Sequence, residues 1–446
     1  MHGRLKVKTT AQQDAEKQVE RKAKLGAYRQ AMSAILSRRE EGKKDAKQLM
    51  MTSQVLHANP DIHTLWNIRR ECVIAMADES PSDKDKLWAK EVELTQQCLM
   101  SNPKSYGAWH HRCYSLDQMS SAPWLNELAL CDRFLSMDER NFHCWDYRQM
   151  AAKKAGQTPE KELEFTMERI NTNFSNYSAW HYRSKLLPLT NPNPDKSSSQ
   201  PIEESVHHQE LDLVQNAAFT DPDDSSAWLY HTWLVGRGQA KLALLYAKVE
   251  KGLLTVATNR AVSSTDIKVT VSGSDLTVDW RKGLKWRVEW VAEVPLQQCV
   301  KIEVNEEVIE IKSSEERCFV LGSGFVDLKF DPEPSEETSK VLAEELDNCE
   351  QLLELEPESK WTNYTKAMLM KALDSNKYYD DILEIYEKLK TVDSMRKNYY
   401  EDQKSKVIIE KALERSKDFE CLDLSSSKLS KIYYKQYLNL FVEVKF

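Results

Sequence analysis

The segments NPKSYGAWHHR (residues 102–112), DERNFHCWDYR (138–148) and NFSNYSAWHYR (173–183) repeat one pattern, a Trp followed three residues later by an Arg. NPDIHTLWNIR (59–69) precedes them, and a weaker copy, DPDDSSAWLYH (221–231), follows. Successive Trp residues are separated by 43, 36, 35 and 48 residues. Such steps are typical of arrays of two-helix units, with the extra residues placed in loops.

Each Trp segment follows a helix-like stripe of apolar residues, such as Leu128, Cys131 and Leu135. A Pro six residues before three of the Trp residues can end that helix and shape the turn. Because Trp and Arg three apart share one helix face, we expect the Trp to fill the space between helices and the Arg to reach a carboxylate or a partner. The residues expected to build the repeat and a partner interface are Trp66, Arg69, Trp109, Arg112, Trp145, Arg148, Trp180, Arg183 and Trp228.

After Arg237 the period changes from helical to alternating. Leu276, Val278 and Trp280 alternate with polar residues, as do Trp286, Val288 and Trp290. Alternation over about 85 residues predicts an antiparallel β-sandwich of immunoglobulin-like architecture, inserted into the helical array as an independent domain.

Helical patterning resumes near residue 335, and Trp361 after Glu-Pro-Glu is interpreted as a final repeat. Near the end, Leu422, Leu424 and Leu429 have the spacing that opens a leucine-rich repeat. One such unit cannot bury its own apolar face.

The predicted fold class is mainly α, an α-α helical-repeat crescent with an inserted β-sandwich. Four regions are expected: a helical-repeat domain at 1–236, the β-sandwich at 237–334, helices completing the array at 335–416, and a vestigial or truncated leucine-rich-repeat start at 417–446.

Composition argues against several classes of protein. The formal net charge of −8, with both signs interspersed, gives no general attraction for nucleic acid. The nine Cys residues form no CxxC pair and are odd in number, which favours reduced thiols and a cytoplasmic location. No segment resembles a signal peptide or approaches the roughly 20 apolar residues of a membrane helix.

The recurring Trp-x-x-Arg preceded by Asn-Tyr or Ser-Tyr differs from a tetratricopeptide repeat, in which Leu-Gly and Tyr follow the Trp. It resembles the repeat of protein prenyltransferase α subunits. Together with the β-sandwich insert and the opening MHGRLKVKT, the array is similar to the α subunits of Rab geranylgeranyltransferases, the type II enzymes. His231, where Arg is expected, and the short C-terminal region depart from that pattern.

This resemblance implies an α subunit in an obligate heterodimer with a prenyltransferase β subunit. The pair would transfer geranylgeranyl from geranylgeranyl diphosphate, bound at the subunit interface, to C-terminal cysteines of Rab GTPases presented by an escort protein. It also implies that Zn²⁺ and the main active site belong to the β subunit. In agreement, the sequence contains no HExxH and no Cys/His quartet, so we expect no metal bound by this chain alone.

The resemblance further implies that Lys104 and Tyr106 approach the isoprenoid diphosphate from the α side. A fixed ammonium there would stabilise the leaving group as its negative charge grows. The ordinary alternative is a solvated Lys and a packing Tyr. Arg140 and Phe142 hold the same places in the next repeat, where no diphosphate role is expected. His2 could reach and modulate the partner's zinc, or could belong to a disordered tail.

Two other functions compete with this interpretation. The chain could be a non-enzymatic helical adaptor, which activity in the presence of a prenyltransferase β subunit would exclude. It could also be the α subunit shared by farnesyltransferase and the type I enzyme, but that family is helical throughout, and the β-sandwich argues against it.

Overall fold

The structure is a computed structural model of the 446-residue chain. It describes residues 10–195, 200–236, 242–282, 288–296, 298–304, 307–312, 318–322, 330, 334–416, 421–438, 441 and 443–446. The chain divides into two compact units, Met1–Phe165 and Thr166–Phe446.

The first unit is helical wherever the structure describes it. A long helix is followed by helices that contact one another in consecutive pairs, α2 with α3, α4 with α5 and α6 with α7. Their bounds are α1 Ala11–Glu40, α2 Ala46–Ala58, α3 His63–Glu79, α4 Lys84–Ser101, α5 Tyr106–Asp117, α6 Trp124–Met137, α7 Phe142–Lys154 and, continuing into the second unit, α8 Pro159–Thr172, with a 3₁₀ turn at Pro81–Asp83.

The second helix of a pair begins at a capping side chain four residues before its Trp. Ser105 accepts the backbone N–H of Ala108, and Asn141 accepts that of Cys144, which satisfies N–H groups that no helical carbonyl can reach. Asn176 and Ser359 cap later helices of the chain in the same way, and Asp224 caps another through the backbone N–H of Ser226, two residues on. In α3 the equivalent residue, Ile62, makes no side-chain cap.

The second unit holds the remaining helices on both sides of a β region. An apolar stripe of α10, formed by Leu211, Val214 and Ala218, is fully buried. The bounds are α9 Tyr177–Thr190, α10 Glu204–Thr220, α11 Ser225–Val235, α12 Glu336–Leu355, α13 Lys360–Asp374, α14 Tyr379–Val392, α15 Lys397–Arg415 and α16 Lys435–Leu438, with 3₁₀ turns at Ser264–Asp266 and Ser394–Arg396.

The predicted β-sandwich is confirmed as two antiparallel sheets. Their strand orders are β5-β6-β2-β1-β9 and β4-β3-β7-β8. Side chains from both sheets, including Val256 and Ile302, form one core. The strands are β1 Leu244–Glu250, β2 Leu253–Thr258, β3 Ile267–Val271, β4 Ser274–Asp275, β5 Arg281–Lys282, β6 Glu289–Glu293, β7 Cys299–Val304, β8 Glu307–Lys312 and β9 Cys318–Leu321.

The alternation of Leu276, Val278 and Trp280 does not mark a strand. Residues 276–280 lie between the short strands β4 and β5, and these three side chains pack on the sandwich core. The backbone N–H of Leu276 still donates to the Val269 carbonyl of β3 at 2.8 Å, where the pairing of β4 ends. Alternation reports burial on one side of an extended chain, and Val278 and Trp280 satisfy it outside the strands. Trp286 lies outside the described residues.

The β region packs against the helix that precedes the C-terminal segment. Leu245 and Tyr246 of β1 share a core with Ile409 and Leu413 of α15. Leu422 and Leu424 complete that core from the C-terminal segment, where β10 (Cys421–Asp423) and β11 (Glu443–Lys445) pair in parallel. The outer face of one sheet is therefore buried against the helices, and the four-region division stays a proposal.

Candidate functional site

Each repeat Trp closes its own turn with the indole N–H. Trp66 donates to the carbonyl of Pro60 at 2.8 Å and Trp109 donates to that of Pro103 at 2.9 Å. Trp145, Trp180 and Trp228 do the same with Glu139, Phe174 and Pro222, always six residues back, at 2.7–3.0 Å. The rings are buried between helices, as expected. The indole therefore fills space and satisfies a carbonyl in the turn between the two helices.

The repeat Arg residues make buried, bidentate pairs with Glu residues of the next repeat. Arg112 donates to Glu127 of α6 at 2.6 and 2.8 Å, and both side chains are almost fully buried. The other pairs are Arg69 with Glu91, Arg148 with Glu162, and Arg183 with Glu210. The sequence predicted that each Arg reaches either a carboxylate or a partner, and in the structure these guanidinium groups bind carboxylates of the same chain. A role for the repeat residues in a partner interface stays a prediction.

A second helix adds another contact to three of these carboxylates. His111 Nε2 lies 2.9 Å from Glu91, and the hydroxyls of Tyr147 and Tyr230 donate to Glu127 and Glu210 at 2.6 Å. Burial alone would raise the pKa of Glu91, but the hydrogen bonds from His111 and Arg69 hold that pKa below its usual value. Each such Glu therefore joins one repeat to the next as a charged group.

The sequence reasoning missed these Glu residues, although a signal was present. The carboxylate lies 20 residues before the His or Tyr that contacts it in all three cases. The distance back to its Arg is variable, from 14 to 27 residues. The Trp and Arg pattern does not include these Glu residues, and the constant spacing of 20 residues to the His or Tyr is the sequence signal that identifies them.

His231 replaces Arg in the fifth repeat, and its ring keeps the same connection. Its Nε2 lies 2.8 Å from Glu345 of α12, which follows it by 114 residues. A buried His–Glu contact thus joins the helices on either side of the β region.

The sixth repeat is present, but Trp361 does not occupy its Trp position. The side chain of Asn363 donates to the carbonyl of Pro357, six residues back, as each Trp does elsewhere. The capping residue, Ser359, is again four residues before it. Trp361 instead faces Arg396, whose guanidinium carbon lies 4.6 Å from the ring centroid. The turn defines the register, so the assignment of Trp361 to the repeat was wrong by two positions.

Lys104 lies on the turn that enters α5 and is paired with the next turn along the chain. Its Nζ is 3.0 Å from Asp138 Oδ2, and the two side chains are 41% and 37% exposed. Asp138 Oδ1 also accepts the backbone N–H of Arg140. In the preceding repeat, Asp61 and Asn102 make a similar turn-to-turn contact at 3.0 Å. The ammonium of Lys104 is therefore paired with a carboxylate and keeps access to solvent.

Tyr106 begins α5 and is 64% exposed. Its ring meets the buried ring of His143 edge-on, with centroids 4.1 Å apart, and lies 6.4 Å from half-exposed Phe142. Burial lowers the pKa of His143. Lys104 and Tyr106 thus lie on one edge of the helical pairs, where an ammonium and a phenol can meet an anion from outside. Arg140 is exposed on the next turn.

Three further expectations concern metals, thiols and membranes. Within the described part of the chain, no three His, Cys, Asp or Glu residues are grouped so that they could hold a metal ion. All nine cysteines are free thiols. No described helix combines the length and the apolar character that a membrane crossing requires. His2 lies outside the described residues.

A family model for the protein prenyltransferase alpha subunit repeat matches residues 88–119, 124–154, 159–189 and 207–238. These matches contain the repeats of Trp109, Trp145, Trp180 and Trp228. The first repeat, with Trp66, lies outside them but makes the same contacts.

The geranylgeranyl transferase type-2 subunit alpha of Mus musculus is 40% identical over 437 residues, which covers 93% of this chain and 77% of that protein. The Homo sapiens subunit has the same identity and coverage. That of Schizosaccharomyces pombe is 37% identical over 244 residues, covering 53% of this chain and 71% of the relative. Among solved structures, Candida albicans protein geranylgeranyltransferase-I complexed with GGPP has a similar fold, with a TM-score of 0.50, 16% identity, and coverage of 86% of this chain and 91% of that one.

Proposed function

Because the chain belongs to the family of geranylgeranyl transferase type-2 α subunits, we propose that it pairs with a β subunit to geranylgeranylate the C-terminal cysteines of Rab GTPases in the cytoplasm. The main support for this proposal is the 40% identity to the Mus musculus subunit over 93% of the chain, a range that includes both the repeats and the β region. The β region also favours this function over the α subunit of farnesyltransferase or the type I enzyme.

In this function the β subunit supplies the isoprenoid pocket and the zinc ion, and an escort protein presents the Rab substrate. Zinc would lower the pKa of the substrate thiol and provide the thiolate nucleophile. The described residues of this chain contain no cluster suited to that ion. In this proposal, the α chain helps to bind and orient the substrates and supplies positive charge near the diphosphate.

Lys104 would provide the charge. As the bond between carbon and the diphosphate of geranylgeranyl diphosphate breaks, negative charge accumulates on the leaving oxygen. The ammonium can move from the Asp138 carboxylate to that group because both side chains are partly exposed. Tyr106, exposed on the same turn, would donate its hydroxyl. These contacts would strengthen as the reaction proceeds and so favour the transition state over the ground state.

Co-expression with a prenyltransferase β subunit tests this function. The purified pair should transfer a labelled geranylgeranyl group to Rab when an escort protein is present, and the single chain should not. A stable pair that transfers nothing to Rab under these conditions would instead favour the adaptor. Efficient transfer of farnesyl to a peptide substrate without an escort would favour the other prenyltransferase family.

A further inference from the structure

Arg70 of α3 differs from every repeat Arg in its surroundings. Its guanidinium lies 3.0 Å from His110 Nδ1 and 3.4 Å from both His111 Nδ1 and Asn67 Oδ1. The guanidinium carbon also lies 4.7 Å from the centroid of the Tyr114 ring. All of these neighbours are uncharged acceptors or an aromatic face.

No carboxylate of the described residues forms an ion pair with Arg70, whereas Arg69, one residue earlier, has Glu91. Two acidic residues of α3 and α5, Glu71 and Asp117, are paired with Arg39 and Lys154. Burial lowers the pKa of Arg70, and only Tyr114 acts against it. A half-buried guanidinium without a counter-charge is costly, and the cost is removed when a carboxylate reaches it.

The hydrogen bonds from Arg70 to its neighbours orient the guanidinium and its remaining N–H groups. Because Arg70 Nε–H donates to His111 Nδ1, the Nε2 of that neutral ring carries the hydrogen and donates to Glu91. The buried pair below thus sets the tautomer of the ring that holds Arg70. A guanidinium has five N–H groups, and three contacts leave two of them available. The group is therefore oriented before any ligand arrives.

The surrounding surface has the composition of an interface. We use the name second-helix face for the exposed positions of α3, α5 and α7 around Arg70: His63, Asn67, Ile74, Tyr106, His110, Phe142 and Asp146. Ile74, Tyr106 and Phe142 are 41%, 64% and 49% exposed. Aromatic residues and Arg are enriched at protein interfaces, and Lys and Glu are depleted.

We propose that Arg70 is an anchor of the heterodimer and binds an Asp or Glu carboxylate of the β subunit. The inference rests on the proposed function because the occupant of the second-helix face is that subunit. Charge complementarity supports a carboxylate, since the face presents the oriented guanidinium of Arg70, with which no carboxylate of the described residues forms an ion pair. A planar carboxylate also matches the two free N–H groups in geometry.

Affinity for the β subunit, measured by subunit exchange between tagged and untagged heterodimers, tests the anchor. Arg70→Gln removes the charge but can keep a hydrogen bond to His111, and we expect at least about tenfold weaker association, since losing one partner of a desolvated charge pair is costly. Arg70→Lys should recover part of the affinity. The matched control is Arg39→Gln, which makes the same charge change on the exposed Arg39–Glu71 pair and should stay within about twofold of wild type.

Equal affinities for Arg70→Gln and Arg39→Gln would overturn the anchor while leaving the proposed function intact. If wild-type chain forms no complex with any prenyltransferase β subunit, the proposed function fails and the anchor fails with it. A second measurement needs no variant: phenylglyoxal modification of the wild-type heterodimer, read by mass spectrometry, should leave Arg70 protected and modify Arg39. Equal modification of the two residues would also contradict the anchor.

Discussion

At the scale of the residue, Lys104 combines an ordinary structural contact with an unusual position. Its pairing with Asp138 has a counterpart in the Asp61–Asn102 contact of the preceding repeat, so the pair alone is no sign of chemistry. What distinguishes it is an ammonium on an exposed turn next to Tyr106 and the His143 ring. The sequence could identify this turn by resemblance. It could not reveal the pairing, because the carboxylate belongs to the next repeat.

Replacing Lys104 by Ala should lower single-turnover prenylation by about 10- to 100-fold, because a charge-assisted contact to the leaving group is worth roughly 1.5–3 kcal/mol. Stability should fall by less than about 1 kcal/mol, as for other exposed ion pairs. Asp138→Asn is the control: it also removes the ion pair but keeps an acceptor for the turn, and it should retain much more activity. A wild-type single-turnover rate for Lys104→Ala would reduce the role of this residue to scaffolding.

The buried Arg–Glu pairs should be far more sensitive than the exposed ones. Arg112→Met leaves the Glu127 carboxylate buried without its guanidinium, and we expect a loss of about 3–5 kcal/mol in unfolding free energy. Lys154→Ala, which breaks the exposed pair with Asp117, should leave the denaturation midpoint unchanged. Urea denaturation followed by Trp fluorescence measures both. Comparable midpoints for the two variants would mean that the buried pairs contribute little to folding.

At the scale of the element, the turn and its cap determine the register of each repeat. The accepting carbonyl six residues before the Trp, the capping residue and the Trp indole keep fixed spacings, which explains why the helices could be predicted from the pattern around Trp. The same rule shows why Trp361 misled: the residue six positions after Pro357 is Asn363. Trp361 resembles the repeat Trp by residue type alone, whereas the turn at Pro357 determines which residue takes the Trp position.

Two glycines in helices should respond to Ala in opposite directions. A Cβ on Gly107 of α5 would lie 2.8 Å from Nε1 of Trp66 and 3.0 Å from the Pro60 carbonyl oxygen. Gly107→Ala should therefore cost about 1–3 kcal/mol through overpacking. Gly26→Ala in α1 meets nothing within 4 Å and should stabilise the chain by about 0.4–1 kcal/mol. Thermal unfolding of the two variants tests this prediction. A shift of the unfolding midpoint in the same direction for both would contradict this account of repeat packing.

At the scale of the whole molecule, the sequence predicted the order of helices and strands better than their packing. The alternating pattern indicated a sandwich, and its two sheets share a core as expected. The pattern could not show that Tyr246 on the other face of one sheet meets Ile409 of α15, because both faces of that strand are apolar. Contacts between segments more than 150 residues apart leave no local trace in the sequence.

The chain should lose stability as the pH falls below neutral. Burial lowers the pKa of both His111 and His207, so the folded state takes up protons less readily than the unfolded chain. Stability from the neutral rings is complete above about pH 6.5 and declines below it, by up to roughly 1.4 kcal/mol per pH unit for each ring. Urea denaturation at pH 7.5, 6.5 and 5.5 measures this slope. His207→Gln, which can still donate to the Leu234 carbonyl, should show a shallower slope, and an unchanged one would assign the effect to other groups.

The unequal spacings in the repeats bear on where this chain can accept foreign sequence. The link from one helical pair to the next ranges from short to the full length of the β region, yet its ends are always rejoined by a buried contact such as His231–Glu345. The loop after α9 is similar, because Pro192 and Ile202 form a bridge at its base. A fluorescent protein grafted into that loop should leave the helices undisturbed. The same graft between Asn102 and Ser105 would separate Trp109 from the Pro103 carbonyl that its indole binds. Insertions are therefore tolerated only in the links between helical pairs, and the turn that carries Lys104 keeps its length.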